Sequence, residues 1–395
     1  MTTPARNTLA VVGAGPIGLE AAALALEHGI DVHVFERGDV GAHVLAWGHV
    51  RMFTPWRDTI GPATARLLER HGWSAPDPGA LPTGAEFAER VLQPLAAVPE
   101  LAARIHTHEQ VVHITRRGAL KDEWADDPKR REFPFRFLVR NAGGHESVLH
   151  AFQLIDASGT YGAPNWAGSG GIPARGESYL APQMGYRCDD VTGLRRERHA
   201  GRATLVIGGG TSAATTVSAL AQLAEAVPGT AVVWAMRQAG GPLSGEVADD
   251  PLPARAALFA AAHGLRAGGN AAVTCIEGVE VEGFEFNSAT HRYRVALSGG
   301  AGTRVEEVDA VVVNTGFGPD NSLYRELQVH ESWASRGPMP LATALRGAGA
   351  GATVTAAATL ANPEPEFWIA GAKSFARDNT FLLATGYAQV AEIVR

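Results

Sequence analysis

Residues Leu9 to Glu36 read LAVVGAGPIGLEAAALALEHGIDVHVFE, and this stretch decides the fold. A short apolar run, Leu9 to Val12, meets Gly13-Ala-Gly15-Pro16-Ile-Gly18. An Ala/Leu-rich helical stretch follows to His28, then Gly29 and a second apolar run that closes on Glu36. The order is strand, Gly-rich turn, helix, strand. Each glycine has a mechanical reason to be there. Gly13 makes the tight turn, Gly15 lets backbone approach a pyrophosphate, and Gly18 lets helix and strand pack closely. A pyrophosphate there would sit on the helix N-terminus, where unpaired N–H groups and the helix dipole favour an anion. Glu36, with Arg37 beside it, stands where an acid is expected to accept both hydroxyl protons of a ribose diol.

Composition bounds the rest. A chain of 395 residues is long enough for two or three domains. Its 46% hydrophobic and 19% charged content describes a globular protein, and a formal charge of −7 argues against nucleic acid or an anionic membrane as partner. With no apolar run approaching the ~20 residues of a membrane helix, and an N-terminus, MTTPARNT, without a hydrophobic signal region, the expectation is a cytoplasmic protein. The two cysteines, Cys188 and Cys275, are far apart and form no CxxC pair, which excludes a dithiol redox centre of the thioredoxin-reductase kind. Cys275 lies in an apolar run and is expected in a strand. The fourteen histidines show no metal-ligand spacing, so no metal is expected.

Beyond Glu36, WGHVRMFTPWR (Trp47 to Arg57) is dense in aromatic and cationic residues. Loops after strands in open α/β sheets cluster where ligands bind, so Trp47, His49, Arg51 and Trp56 either line a cofactor or substrate cavity or form an excursion packed on its own aromatics. Helical spacing covers Thr59 to His71 and Gly84 to Ala97. Strands are expected at Val111 to Thr115, Phe135 to Arg140 and Val148 to Ile155, the first two separated by a charged, solvated stretch, KDEWADDPKRRE. The third ends in Asp156-Ala-Ser158-Gly159-Thr160, small residues that admit a cofactor or make an ordinary turn.

A connection made of a Gly/Pro/Ala-rich stretch, Gly159 to Gly176, and an irregular polar one, Tyr179 to Gly201, leads to a second nucleotide-binding pattern: strand Thr204 to Ile207, then Gly208-Gly-Gly210-Thr211-Ser212-Ala213, a helix through Ala226, and a strand Ala231 to Trp234. Arg237 stands where the first pattern has its acid, and an arginine there pairs with a 2′-phosphate. One cradle closed by an acid and one by an arginine imply two different dinucleotides. The unit ends in an apolar strand and NTGFGPD (Asn314 to Asp320), with Gly316 in the turn. Ala342 to Leu360 reads as flexible loop. Phe367 to Gly371 and the helix Phe381 to Val394 are expected to complete the first sheet, with the helix N-terminus near Asn379 and Thr380.

This order of motifs resembles the flavoproteins with two dinucleotide-binding domains, which include thioredoxin reductases, flavin-containing monooxygenases and Baeyer–Villiger monooxygenases. The resemblance implies an α/β fold of two Rossmann-like dinucleotide-binding domains, one for FAD and one for NADPH, with the FAD domain completed by the C-terminal segment. The implied boundaries are 1–175 and 318–395 for FAD and 200–317 for NADPH. It also implies that Val111 lies beside the adenine and Gly371 to Phe381 along the ribityl chain and flavin. Two departures stand out: the reductases carry an Asp after the closing glycine, where this chain has Gly371-Ala-Lys373, and single-cysteine disulfide reductases read GGGPCG, where this chain has Ile17. VTGLRRERH (Val191 to His199) partly echoes the monooxygenase fingerprint.

The activity so implied is an FAD-dependent, NADPH-consuming monooxygenase that inserts oxygen from O2 into a small N-, S- or carbonyl-containing substrate through a flavin peroxide. The alternatives are an NAD(P)H:acceptor reductase or oxidase and a non-catalytic nucleotide-binding scaffold. Candidate catalytic residues are Trp47, His49, Arg51, Lys373, Arg377 and Asn379, the cations placed to stabilise reduced flavin. The partners are then a small substrate and O2, with room for a homodimer.

Overall fold

In a computed structural model, residues 4–300, 302–348 and 356–395 are described. They form two compact units, 1–163 with 318–395, and 164–317. The crossing lies at 163/164, so residues 164–175, expected with the first domain, pack in the second unit.

The first unit opens with β1 (Thr8–Val12), α1 (Pro16–Glu27) and β2 (Asp31–Phe35). Every residue of β1 is buried, and Ala21, Ala22, Ala23 and Ala25 of α1 are fully buried, because small side chains let the helix lie close on the sheet. Gly18 is required by the same packing: a Cβ there would stand 1.9 Å from the Gly13 carbonyl oxygen. Glu20, buried in α1, accepts the N–H groups of Ala63 and Thr64 at 2.8 Å each. It thereby caps α2 (Pro62–Arg70) from another part of the chain.

β3 (Ile105–His106) ends the main sheet on one side. β4 (Glu109–Arg116), β5 (Phe135–Asn141) and β6 (Glu146–Ala151) form a separate antiparallel sheet, and β7 (Gln153–Asp156) returns to the main one. The single strand expected over Val148 to Ile155 is thus two, because the chain leaves the antiparallel ladder at Ala151 and its next paired residue, Gln153, lies parallel to Leu9. The charged stretch between β4 and β5 is also not simply solvated. Arg130 is 1% exposed and, with Arg116, pairs with a fully buried Glu364.

In the second unit β8 (Ala203–Ile207), α3 (Thr211–Ala226), β9 (Ala231–Met236), α4 (Pro253–Arg266) and β10 (Val273–Glu277) repeat the strand-helix alternation. β11 (Val279–Asn287), β12 (Arg292–Gly299) and β13 (Gly302–Val308) make an antiparallel meander, and β14 (Ala310–Val313) pairs parallel with β8. The parallel sheet runs β10-β9-β8-β14.

Back in the first unit, α5 (Met339–Ala348) and a helical turn at Ala357–Leu360 occupy parts of the stretch expected as loop. Residues 349–355 of that stretch lie outside the described residues. β15 (Phe367–Ile369) pairs parallel with β7, giving the order β15-β7-β1-β2-β3. The C-terminal segment completes the first sheet, and α6 (Leu383–Ile393) packs against α1. Among the described residues no helix is long and apolar enough to cross a membrane.

Candidate active site

The first unit holds a cavity of about 430 Å³ at the carboxyl ends of β1, β2 and β7. Its wall includes Gly13, Gly15 and Pro16 of the Gly-rich turn, Glu36 and Arg37, Val111, Ser158 and Gly159, and Gly371, Lys373 and Phe381. Parallel strands bring most of these together because their carboxyl ends share one edge of the sheet, while Val111 comes from β4 of the antiparallel sheet. Gly15 has ordinary extended backbone (φ −85°), and a Cβ there would meet no atom within 4 Å. A larger side chain would therefore occupy the cavity itself.

Glu36 follows the last residue of β2. Its Oε2 accepts the Ala14 N–H at 2.9 Å and its Oε1 the Gly38 N–H at 2.9 Å. Each carboxylate oxygen keeps a lone pair for a ligand hydroxyl. Arg37 hydrogen-bonds with His43 Nε2 at 2.5 Å beside Tyr161, and both neighbours also line the cavity.

At the carboxyl end of β7 and just beyond that of β15, Asp156 is fully buried and Lys373 is 2% exposed. Lys373 Nζ donates to Asp156 Oδ2 at 2.6 Å and to Ser158 Oγ at 3.1 Å. Asp156 Oδ1 accepts the Ser158 N–H at 3.1 Å and hydroxyl at 2.6 Å. Burial pushes the Asp320 carboxyl up, but hydrogen bonds from Ser322 and the Lys373 charge outweigh it and leave the pKa lowered. Gly371 has φ +73° in the tight turn before Lys373, and its N–H donates to Gln389 Oε1 at 2.9 Å.

The other candidate catalytic residues are placed elsewhere. Trp47 is half-buried, its ring against Gly84, where a Cβ would come within 2.5 Å of it; His49 is exposed; and Arg51 is exposed, its guanidinium donating to the Leu81 carbonyl. None of the three is on the cavity wall. Trp56 is buried against Phe87, so the WGHVRMFTPWR segment is packed on its own aromatics. Arg377 and Asn379 are exposed and also off the wall. The final helix begins at Leu383 instead of near Asn379, because Asp378 Oδ1 accepts both the N–H and the hydroxyl of Thr380 and holds a turn there.

Asp156, His43, Tyr161 and Gln389 escaped the sequence reading. Asp156 sits in the quoted strand end, yet its partner lies 217 residues on.

In the second unit the pattern GGGTS forms the turn from β8 into α3. Gly208 has φ +132° and approaches so closely that a Cβ would stand 2.2 Å from the Asn314 carbonyl oxygen. Gly210 precedes Thr211 and Ser212, the first residues of α3, and the Ser244 N–H donates to the Gly209 carbonyl at 2.8 Å. Arg237 is exposed immediately after β9. Gly316 has φ +84°, next to Thr315, whose carbonyl accepts from Asn165. His199 is buried and bonded with Thr204 and Asp189, pinning the segment before β8. Both cysteines are free and lie in this unit. Burial raises the Cys188 thiol, beside the Ser212 carbonyl, and raises Cys275, in β10, to about 11.

A sequence profile of the pyridine nucleotide-disulphide oxidoreductase family matches residues 8–41. No curated protein matches the sequence. Solved structures resemble the whole chain. They include the bacillithiol disulfide reductase of Bacillus cereus (17% identity, 98% of this chain and 97% of that one, TM-score 0.66) and the ornithine hydroxylase of Pseudomonas aeruginosa (16%, 98% and 97%, 0.64). The thioredoxin reductase of T. acidophilum is a third (15%, 98% and 97%, 0.58). The chain therefore has the α/β fold of the flavoproteins with two dinucleotide-binding domains.

Proposed function

We propose that the protein is an FAD-dependent oxidoreductase that consumes NADPH and acts as a monooxygenase on a small N-, S- or carbonyl-containing substrate. The observation that carries the reading is the first unit's cavity, where an unobstructed Gly15 and an amide-held Glu36 carboxylate stand at one strand edge. The residues fit an adenine dinucleotide: Gly13, Gly15 and Pro16 offer backbone to a diphosphate, Glu36 a pair of acceptors to a ribose, and Val111 an apolar wall to a base. When bound, FAD supplies hydride acceptance and chemistry with O2. The chain's part is to bind, orient and shield it. Arg237, after β9, suits the 2′-phosphate of NADPH.

Thiol chemistry is disfavoured. Both thiols are raised above their ordinary pKa by burial, so neither is a ready thiolate nucleophile. Electrons then pass to O2 or to a small acceptor, and hydroxylases are among the proteins of similar fold.

The test is product analysis. The purified protein, NADPH and isotopically labelled O2 are incubated with a panel of amines, thioethers and ketones. Label in an organic product supports the reading. NADPH oxidation giving only hydrogen peroxide, or reduction of an added disulfide or quinone without label uptake, replaces it with an oxidase or reductase.

A further inference from the structure

An ammonium has three N–H donors. Lys373 gives one to Asp156 and one to Ser158, and among the described residues no hydrogen bond takes the third. The Tyr324 ring, 5.1 Å from Nζ, is a face contact and not an acceptor of that kind. A charged donor left unmatched at 2% exposure is costly, yet this one belongs to the wall of a cavity, where a ligand can match it.

The neighbours of Lys373 say which ligand atom that is. Ser158 belongs to the turn that abuts the Gly-rich turn: a Cβ on Gly13 would lie 2.9 Å from the Ala157 carbonyl oxygen and 3.0 Å from Ser158 Cα. The ammonium hydrogen-bonded to Ser158 is therefore held by the turn that packs against the Gly-rich turn. Two carboxylates lie nearby, and among the described residues no hydrogen bond runs from the third N–H to either. Asp156 spends Oδ1 on Ser158 and Oδ2 on Lys373, while Asp320 Oδ1 is taken by the Ser322 N–H and hydroxyl.

We propose that Lys373 is a specificity-determining residue whose third N–H binds a phosphate oxygen, so that this cavity selects ligands carrying a nucleoside diphosphate. The inference rests on the reading above that a dinucleotide occupies the cavity. Asp156 and Ser158 act as positioning residues: they hold a long, rotamer-rich side chain in its binding geometry before the ligand arrives.

The test is calorimetric titration of the full-length, flavin-free protein with ADP, FAD, adenosine and riboflavin. Lys373→Met alone would leave a buried carboxylate unpaired, so the variant is the double Asp156→Asn/Lys373→Met. Asp156→Asn/Lys373→Gln serves if the methionine form does not fold by circular dichroism. A lost charge-assisted contact should weaken ADP and FAD by about ten- to a hundredfold, with adenosine and riboflavin unchanged. Asp156→Asn alone should keep the preference for ADP over adenosine. Unchanged ADP binding in the double variant, or equal losses for ADP and adenosine, overturns the proposal and leaves the dinucleotide reading intact. Loss of riboflavin with ADP retained overturns it by moving the ammonium to the ring end. If the unsubstituted protein binds neither ADP nor FAD, both readings fall together.

Discussion

Glu36 Oε2 accepts the N–H of Ala14 at 2.9 Å, so the acid that closes the second strand is tied directly to the Gly-rich turn. The carboxylate and the turn keep a fixed spacing before any ligand binds, which is the preorganisation that a diphosphate and its adjoining ribose require.

Substitution at Gly15 separates binding from folding. Its backbone is ordinary for any residue and a Cβ meets nothing, so Gly15→Val should change unfolding free energy by no more than about 0.5 kcal/mol. The same change should abolish flavin retention, read as visible absorbance after desalting. Full flavin occupancy in the variant would take the diphosphate away from this turn.

Arg237 is expected to choose the coenzyme. A charge-assisted pair contributes about 1.5 to 3 kcal/mol, so Arg237→Ala should weaken NADPH by roughly ten- to a hundredfold and leave NADH nearly unchanged. Steady-state KM values for the two coenzymes measure this. Parallel losses would mean that the guanidinium does not read the phosphate.

Glu364 is the carboxylate in ion-pair contact with two buried guanidiniums, with Arg116 Nε at 2.7 Å and Arg130 Nη2 at 2.9 Å. It also accepts the Gln328 N–H at 2.8 Å. Glu364→Gln strands both cations and should cost about 3 to 5 kcal/mol in urea unfolding. A loss below about 1 kcal/mol, the level of an exposed pair, would show that water reaches the cluster.

Glu277 supplies a pH prediction in the second unit. Hydrogen bonds from Arg266 and the Gly240 N–H hold its pKa down, from 4.5 to about 2. A depressed folded-state pKa gives stability that is present above 4.5 and lost as pH falls towards 2. Glu277→Gln should therefore lower Tm most at neutral pH, and the gap to the unsubstituted protein should close across that acid window. A gap independent of pH would exclude ionisation as its source.

The two strand-turn-helix-strand units were legible because each is local: short apolar runs, glycines and an Ala-rich helix all fall within about thirty residues of sequence. The closing strand was legible for the same reason. What escaped depends on pairing at a distance. Arg130 looks solvated within KDEWADDPKRRE until Glu364, 234 residues away, is brought beside it. Lys373 is legible as a candidate cation of the site, but its burial is not until Asp156, 217 residues away in sequence, is brought beside it. The break between β6 and β7 was hidden because one continuous apolar run serves two sheets, and only the partners of Ala151 and Gln153 reveal the change. The aromatic segment at Trp47 misleads in the other direction, since composition does not say which way the rings turn.

β15 sets the order in which the molecule can be finished. β7 has its partner β1 within the first 163 residues, but its other edge waits for Phe367–Ile369, made after the whole of the second unit. During synthesis that edge is an open row of backbone donors and acceptors, a template for the wrong strand. Gly371 and Lys373 arrive in the same late stretch, so the wall of the cavity is incomplete until the second unit has been made.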